Sequence, residues 1–230
     1  MKKRLMIIGC STTGKHLLEF IRYYDLFDVV GFAVNKEYKQ FDEYCGLPVY
    51  ELEKLNELHG DIFDFVFVAV LWNKVNADRK RIYNMVKKMG LQCANIISPT
   101  AKIRGTIEGD NCWIHDYAII QNNTFVSSGL MMMAQSLIGA NTQIGEHCFL
   151  GAKSLIGGGS KIGNQTFIGL NATVFDNVKI GEKCIIGACT SIKRNVPSYT
   201  LCKIANTNCQ QIFYDEKTIE DKLQYSLNVR

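Results

Sequence analysis

From Ile114 onward an apolar residue recurs every six positions without a break: Ile114, Ile120, Val126, Met132, Ile138, Ile144, Leu150, Ile156, Ile162, Ile168, Val174, Ile180, Ile186 and Ile192. About half of the chain is hydrophobic, so chance gives a specified run of this length roughly once in ten thousand times or more rarely. A period of six is neither the strand's two nor the helix's 3.6. Positions two residues earlier are mostly small, as at Ala118, Thr124, Ser136, Thr142, Cys148 and Ser154. Glycine follows the apolar residue at Gly139, Gly145, Gly151, Gly157, Gly163, Gly169, Gly181 and Gly187, where a missing Cβ is expected to relax the backbone for a turn. Each hexad therefore reads as a short strand and a corner. Three corners close a triangular coil, and stacked coils pair strand on strand at about 4.8 Å, with the period-six column filling the prism. The pattern predicts a parallel β-helix over 98–196. It also places Cys112, Cys148 and Cys184 two coils apart on one wall, roughly 9.6 Å from one another and beyond the ~7 Å reach of a disulfide. They are expected to be free thiols filling small interior sites.

Residues 1–97 follow a different pattern. Residues 4–9 (RLMIIG), 29–34 (VVGFAV), 63–71 (FDFVFVAVL) and 91–97 read as strands, and 13–24, 51–58 and 77–89 as helices. This alternation predicts a small parallel, Rossmann-like α/β domain, with its boundary near Ser98-Pro99. After Ile192 the repeat stops, and 197–230 read as a capping tail. Ile219, Leu223 and Leu227 at four-residue spacing predict one short helix from about Thr218, covering the open end of the prism.

Composition narrows the function classes. Net charge is +4 and the basic residues are scattered, which argues against a nucleic-acid surface. No apolar run reaches the length of a membrane helix and the start lacks a signal-peptide pattern, so a cytoplasmic location without membrane attachment is expected. Nine cysteines, an odd count without a CxxC pair, suit a reducing compartment. The four histidines, His16, His59, His115 and His147, are too dispersed for a zinc centre, and no metal is expected.

The loop GCSTTGK joins the first strand to the first helix, where free backbone N–H groups can hold a phosphate. Ser11 replaces the middle glycine of a dinucleotide fingerprint. Asn35, not an acid, ends the second strand, so a nucleotide-sugar phosphate fits better than NAD. A plain strand-to-helix turn is the competing reading. Together, the GxSxxG unit, the ISP junction and the I/V/L-G-x-x-S/T/A/C-x prism resemble the sugar O- and N-acetyltransferases of the hexapeptide-repeat family. That family includes sialic-acid O-acetyltransferases and bacillosamine N-acetyltransferases. The stretches FAVNKEY, GLPVYE, FVFVAVLWNK and GEHCFLGAKSLIGGGSKIGNQTFIGLNAT fit it in order. The resemblance implies a left-handed prism, a homotrimer, acetyl-CoA between neighbouring prisms, and a nucleotide-linked sugar held by the small domain. It places Gly9, Ser11, Gly14, Asn35 and Asn73 on the nucleotide or sugar, and Gly158, Leu170 and Ala188 along the CoA groove.

At the catalytic position the sequence departs from the resembling enzymes. Their histidine and its partner fall on Ala140 and Asn141, and a second histidine falls on Phe149. Asn141 and His147 remain as catalytic candidates. A sugar hydroxyl depends strongly on a base, which contributes about 10²–10⁴-fold, whereas an amine already has its lone pair once solvent has deprotonated it. The expected activity is therefore acetyl transfer from acetyl-CoA to the amino group of a nucleotide-linked amino sugar destined for a surface glycan. Asn141 would orient the amine or the thioester carbonyl, and the Gly158 N–H would face the oxyanion. Sugar O-acetylation and a catalytically silent nucleotide-sugar-binding scaffold are the alternatives.

Overall fold

The strand Arg4–Ile8 (β1) is buried from Leu5 onward on both faces, as a near-continuous apolar run requires in a parallel sheet. A computed structural model of the protein, describing residues 2–205, 208–216 and 218, divides the chain into two units. The first comprises Met1–Leu71 and Arg79–Ile96, the second Trp72–Asp78 and Ile97–Arg230. In the first, β1 leads into helix α1 (Thr12–Tyr24), then β2 (Asp28–Val34), β3 (Glu43–Tyr44), β4 (Leu47–Glu51), α2 (Leu55–Leu58) and β5 (Phe65–Val68). Sheet order is β3-β4-β2-β1-β5, parallel except for the β3–β4 hairpin. That hairpin was not predicted, because a two-residue strand shows no period. Its turn, Cys45-Gly46, has positive φ at both residues, as tight hairpins favour.

Some boundaries differ from the sequence expectation. Residues 51–58 form a 3-10 turn, Leu52–Lys54, followed by the single-turn α2. The strand expected over 91–97 divides: Cys93 makes one isolated bridge to Val66, and Ile96–Ile97 (β6) begins the next sheet. The helix over 77–89 is present as α3 (Ala77–Lys88).

The second unit is a parallel β-helix. Its three walls run in steps of eighteen residues, as in Leu137↔Leu155 and Ile138↔Ile156. Wall I starts at β6 and continues through Trp113–Ile114, Met131–Met132, Phe149–Leu150, Phe167–Ile168 and Ile185–Ile186. Wall II runs from Lys102–Ile103 to Ser191–Ile192, and wall III from Thr106–Ile107 to Lys179–Ile180. Every residue of the period-six column is at most 3% exposed, and Cys112, Cys148 and Cys184 lie fully buried beside wall I as free thiols. The coil extends earlier than the strict repeat, with Ile97, Ile103 and Ile107 packed against the same core.

The corners overturn the expected role of the glycines. Positive φ falls on every sixth residue from Asn111 to Cys189, two positions after the glycine site. Asn111, Asn123, Asn141, Asn171 and Asn177 fill five of these positions, consistent with asparagine's tolerance of left-handed backbone. The glycines instead permit close stacking of coils. A Cβ on Gly139, Gly151 or Gly169 would stand 2.6, 2.7 or 2.5 Å from the amide nitrogen of Gly158, Leu170 or Ala188 in the next coil.

Hydrogen bonds join the coils in both directions. Strand amides donate to the following coil, as Leu137 N–H does to Ser154 O at 2.9 Å, and left-handed corner amides donate to the preceding one, as Asn141 N–H does to Asn122 O at 3.0 Å. Past the last coil, Thr200–Ala205 pairs in parallel with wall I and folds back antiparallel on Asn208–Phe213. This hairpin, unforeseen in the sequence, covers the edge of that wall. The tail helix expected from Thr218 falls almost wholly outside the described residues.

Trp72–Asp78 packs on wall I. Trp72 sits edge-on to Phe149 and Phe167, with centroids 4.6 and 5.8 Å away, and Asn76 Nδ2 donates to Gln165 O at 3.0 Å. Lys74, Val75 and Asn76 are all left-handed, and Val75 and Asn76 are fully buried.

A pair of substitutions separates the two corner roles. Gly151→Ala is expected to cost about 1–3 kcal/mol by overpacking, whereas Asn171→Gly, at a left-handed position, should change stability by less than about 1 kcal/mol. Denaturant titration of both variants gives the comparison, and the reverse order of stabilities would contradict it.

Candidate active site

In the first unit the chain goes from β1 outward to β2 and β4 on one side, and then to β5 on the other. The reversal leaves a crevice beyond the carboxyl ends of β1 and β5, the usual ligand position in open parallel sheets. Gly9 and Ser11 belong to the loop on its β1 side. Gly9 has φ +120°, and a Cβ there would approach Ala69 O, just past β5, to 3.2 Å. Gly14 lies in the first turn of α1, where a Cβ would meet Gly9 O at 2.2 Å, so only glycine lets the helix approach this closely. Ser11 is the N-cap of α1 and accepts weakly from Gly14 N–H at 3.4 Å. Across the crevice, the buried Arg79 guanidinium donates to Val70 O and Leu71 O at 3.3 and 3.2 Å and holds the loop after β5. Nothing in the sequence pattern singled out Arg79, because a charged residue in an amphipathic helix reads as solvent-facing.

Asn35 follows β2, two residues beyond Ala33, whose carbonyl accepts from Gly9 N–H at 2.8 Å. Its Nδ2 donates to Glu53 Oε1 at 3.0 Å, and Lys36 N–H donates to Glu53 Oε2 at 3.0 Å. Burial pulls the Glu53 carboxyl upward, but these hydrogen bonds outweigh it and leave the group below its ordinary range. An acid absent from the end of β2 is thus supplied from eighteen residues further on. Asn73 is exposed and belongs to the second unit, whereas Gly9, Ser11, Gly14 and Asn35 belong to the first.

The prism distributes the remaining candidates over three edges. Ala140, Asn141 and Gly158 stand between walls II and III, and Leu170 and Ala188 between walls I and II. His147 stands between walls III and I. It is 1% exposed, with its ring over Gly129, where a Cβ would meet Nδ1 at 2.2 Å. Neighbouring edges are separated by up to roughly 20 Å of extended chain. One prism therefore keeps Asn141 with Gly158 but places His147 on a second edge and Leu170 with Ala188 on the third.

The central residue of each corner carries a backbone N–H that neither ladder uses, and the edges treat it differently. Between walls III and I, the amides of Asp110, Glu146 and Glu182 donate to Ser128 Oγ, Asn164 Oδ1 and Ser198 Oγ. Between walls II and III, Ala140 N–H donates to Gln121 Oε1 at 3.1 Å and Gly158 N–H to Asp176 Oδ1 at 2.7 Å. The Gly158 N–H is therefore committed, and the oxyanion role expected for it does not stand in this geometry. Between walls I and II the amides of Ala134, Ala152, Leu170 and Ala188 have no protein partner among the described residues. These four form a column of open donors with small or apolar side chains, one per coil. Ala134 and Ala152 were missed in the sequence because the signal is in backbone bonding, not residue type.

The family model described as the hexapeptide repeat of succinyl-transferase matches residues 141–159 and 160–194. No curated protein matches the chain in sequence. PerB from Caulobacter crescentus, in complex with CoA and GDP-perosamine, is 22% identical with a TM-score of 0.78, over 90% of this chain and 96% of that one. A histidine-to-asparagine mutant of perosamine N-acetyltransferase from Caulobacter crescentus, also with CoA and GDP-perosamine, gives 21%, 0.71, 90% and 96%. The acetyltransferase domain of PglB from Neisseria gonorrhoeae, in complex with acetyl coenzyme A, gives 19% and 0.58, over 92% of this chain and all of that one. The fold is thus that of the hexapeptide-repeat, left-handed β-helix proteins, with the small parallel sheet preceding the prism. Among the described residues no helix is long and apolar enough to cross a membrane.

Thiol chemistry reports on both regions. Desolvation, aided by nearby Cys45, raises the Cys10 thiol to about 11, and desolvation raises buried Cys184 to about 11 as well. At pH 8 about a thousandth of either is thiolate. Iodoacetamide at that pH should label exposed Cys189 first and leave Cys10 and Cys184 largely intact, with Cys10 gaining reactivity toward pH 11. Peptide mass spectrometry gives the order, and early labelling of Cys10 would contradict it.

Proposed function

We propose that this chain transfers the acetyl group of acetyl-CoA to the amino group of a nucleotide-linked amino sugar, as a cytoplasmic homotrimer serving surface-glycan synthesis. The observation that carries the proposal is the likeness, over 90% of the chain and through both units in order, to a structure holding CoA and GDP-perosamine. The first unit contributes the nucleotide end. Residues 10–13, at the N-terminus of α1, offer amide donors to a diphosphate, while Asn35 and Glu53 offer hydrogen-bonding groups to the nucleoside.

The amide column between walls I and II suits the pantetheine arm of CoA, an extended chain whose carbonyls need donors at intervals. One of these N–H groups, at Leu170 or Ala188, would receive the thioester carbonyl and the charge developing on it. Ala140 and Asn141 occupy another edge, so a site using both draws them from neighbouring protomers. That requirement supports the trimer.

In the transfer step the neutral amine attacks the thioester carbonyl carbon. The C–N bond forms, the C–S bond breaks, CoA leaves as thiol or thiolate, and the proton lost by nitrogen goes to solvent. Ala140 provides no imidazole, and Asn141 Oδ1 already accepts from Asn123 Nδ2 at 3.3 Å, which leaves its own Nδ2 to orient the reacting groups.

Thiol release should therefore accompany incubation of acetyl-CoA with a GDP-, UDP- or dTDP-linked amino sugar and be absent with the matching hydroxy sugar; equal rates on both would overturn the N-specific reading. Ala140→His should raise transfer to hydroxyl acceptors by about 10²–10⁴-fold, the usual worth of a positioned base, and change amine transfer little. Undetectable acetyl-CoA binding by calorimetry would instead favour a catalytically silent scaffold.

A further inference from the structure

Five side chains cap the central amides of the prism corners, and four of them are neutral: Gln121, Ser128, Asn164 and Ser198. The fifth is Asp176, whose Oδ1 accepts from Gly158 N–H at 2.7 Å. The cap itself requires no charge, because Asn164 Oδ1 performs the same task for Glu146 N–H at 2.9 Å. Asp176 is exposed and forms no ion pair among the described residues, although Arg194 is the next residue along the same edge. Its second oxygen, Oδ2, has no protein donor among the described residues.

The surroundings of this carboxylate are unusual for the prism. Directly before it in the stack come Gly157, Gly158 and Gly159, and before those Ala140 and Asn141. A Cβ on Gly158 would meet Ala140 O at 3.2 Å and Asp176 Oδ1 only at 3.9 Å, while the space at Gly159 is taken by Asn177 Oδ1. At Gly158, then, the edge presents bare backbone with a carboxylate on one side and Ala140 on the other.

We propose that Asp176 is the anionic group that captures the protonated amino group of the acceptor sugar and thereby selects amino sugars over hydroxy sugars. The inference rests on the N-acetyltransferase reading. At neutral pH a sugar amine is partly an ammonium ion, and a carboxylate oxygen already fixed by one backbone bond accepts a charge-assisted hydrogen bond from it. A hydroxyl carries no such charge. Asp176 binds and positions; the proton that nitrogen loses before attack still passes to solvent, since a carboxylate is too weak a base to keep it.

Steady-state kinetics with acetyl-CoA and the amino-sugar nucleotide that the wild type turns over best, on wild type, Asp176→Asn and Asp176→Glu, tests this. In Asp176→Asn the KM for the amino sugar should rise roughly tenfold, the scale of one lost charge-assisted hydrogen bond, with the KM for acetyl-CoA and the melting temperature unchanged. Removing the negative charge also lowers the pKa of the bound amine, so the rising limb of kcat against pH should move to lower pH. Asp176→Glu should recover much of the affinity. An unchanged amino-sugar KM in Asp176→Asn overturns the inference, and so does a rise in both KM values together with a lower melting temperature, the signature of a corner cap alone. A wild type that acetylates no amino sugar overturns the N-acetyltransferase reading itself.

Discussion

The structure depends on a hydrogen bond at each corner that ties the turn back to the preceding coil. Outward-facing strand residues donate forward, as Leu137 does to Ser154 O at 2.9 Å, while the left-handed corner residue donates backward, as His147 does to Ser128 O at 2.7 Å and Gly159 to Ala140 O at 2.8 Å. A left-handed backbone is unfavourable for any residue with a Cβ, yet only two of the positive-φ corner positions, Gly129 and Gly159, are glycine. The backward bond offsets that cost, because it satisfies an amide that would otherwise be orphaned at the turn. With each coil bonded from both sides, two-residue strands suffice, although strands this short are marginal in an ordinary sheet.

The same geometry leaves the central amide of each corner outside both ladders, and function on this prism is written in what each edge does with it. Side chains cap the central amides of Asp110, Glu146 and Glu182 between walls III and I, and those of Ala140 and Gly158 between walls II and III. The edge between walls I and II is left open. A scaffold built from identical repeats thus acquires three chemically different faces without altering its core.

How much of this the sequence revealed depends on where each signal lies. The prism was legible from Ile114 to Ile192 because inward packing imposes one apolar residue per hexad, and the three buried cysteines followed from the same arithmetic. The corner glycines were misread because sequence shows a missing Cβ but not whether conformation or crowding demands it; only the φ angles and the neighbouring coil decide. The β3–β4 hairpin and the terminal hairpin escaped for lack of periodicity. Glu53 and Arg79 act through partners 18 and 8–9 residues away, contacts that no local pattern encodes. Asp176 was hidden among ordinary turn residues, since its distinction is being charged where Asn164 is not.

The interior column has a further consequence for how such a chain can change in length. Since the core requires only an apolar residue every sixth position, a deletion or insertion of six residues keeps the interior sealed. Yet it advances every later corner to the next edge, so that residues now forming the open amide column would be split between two edges. Loss or gain of eighteen restores every corner to its own edge. Folding is indifferent to the first kind of change, whereas chemistry tolerates only the second, so whole coils are the units by which this scaffold can lengthen or shorten while keeping its sites.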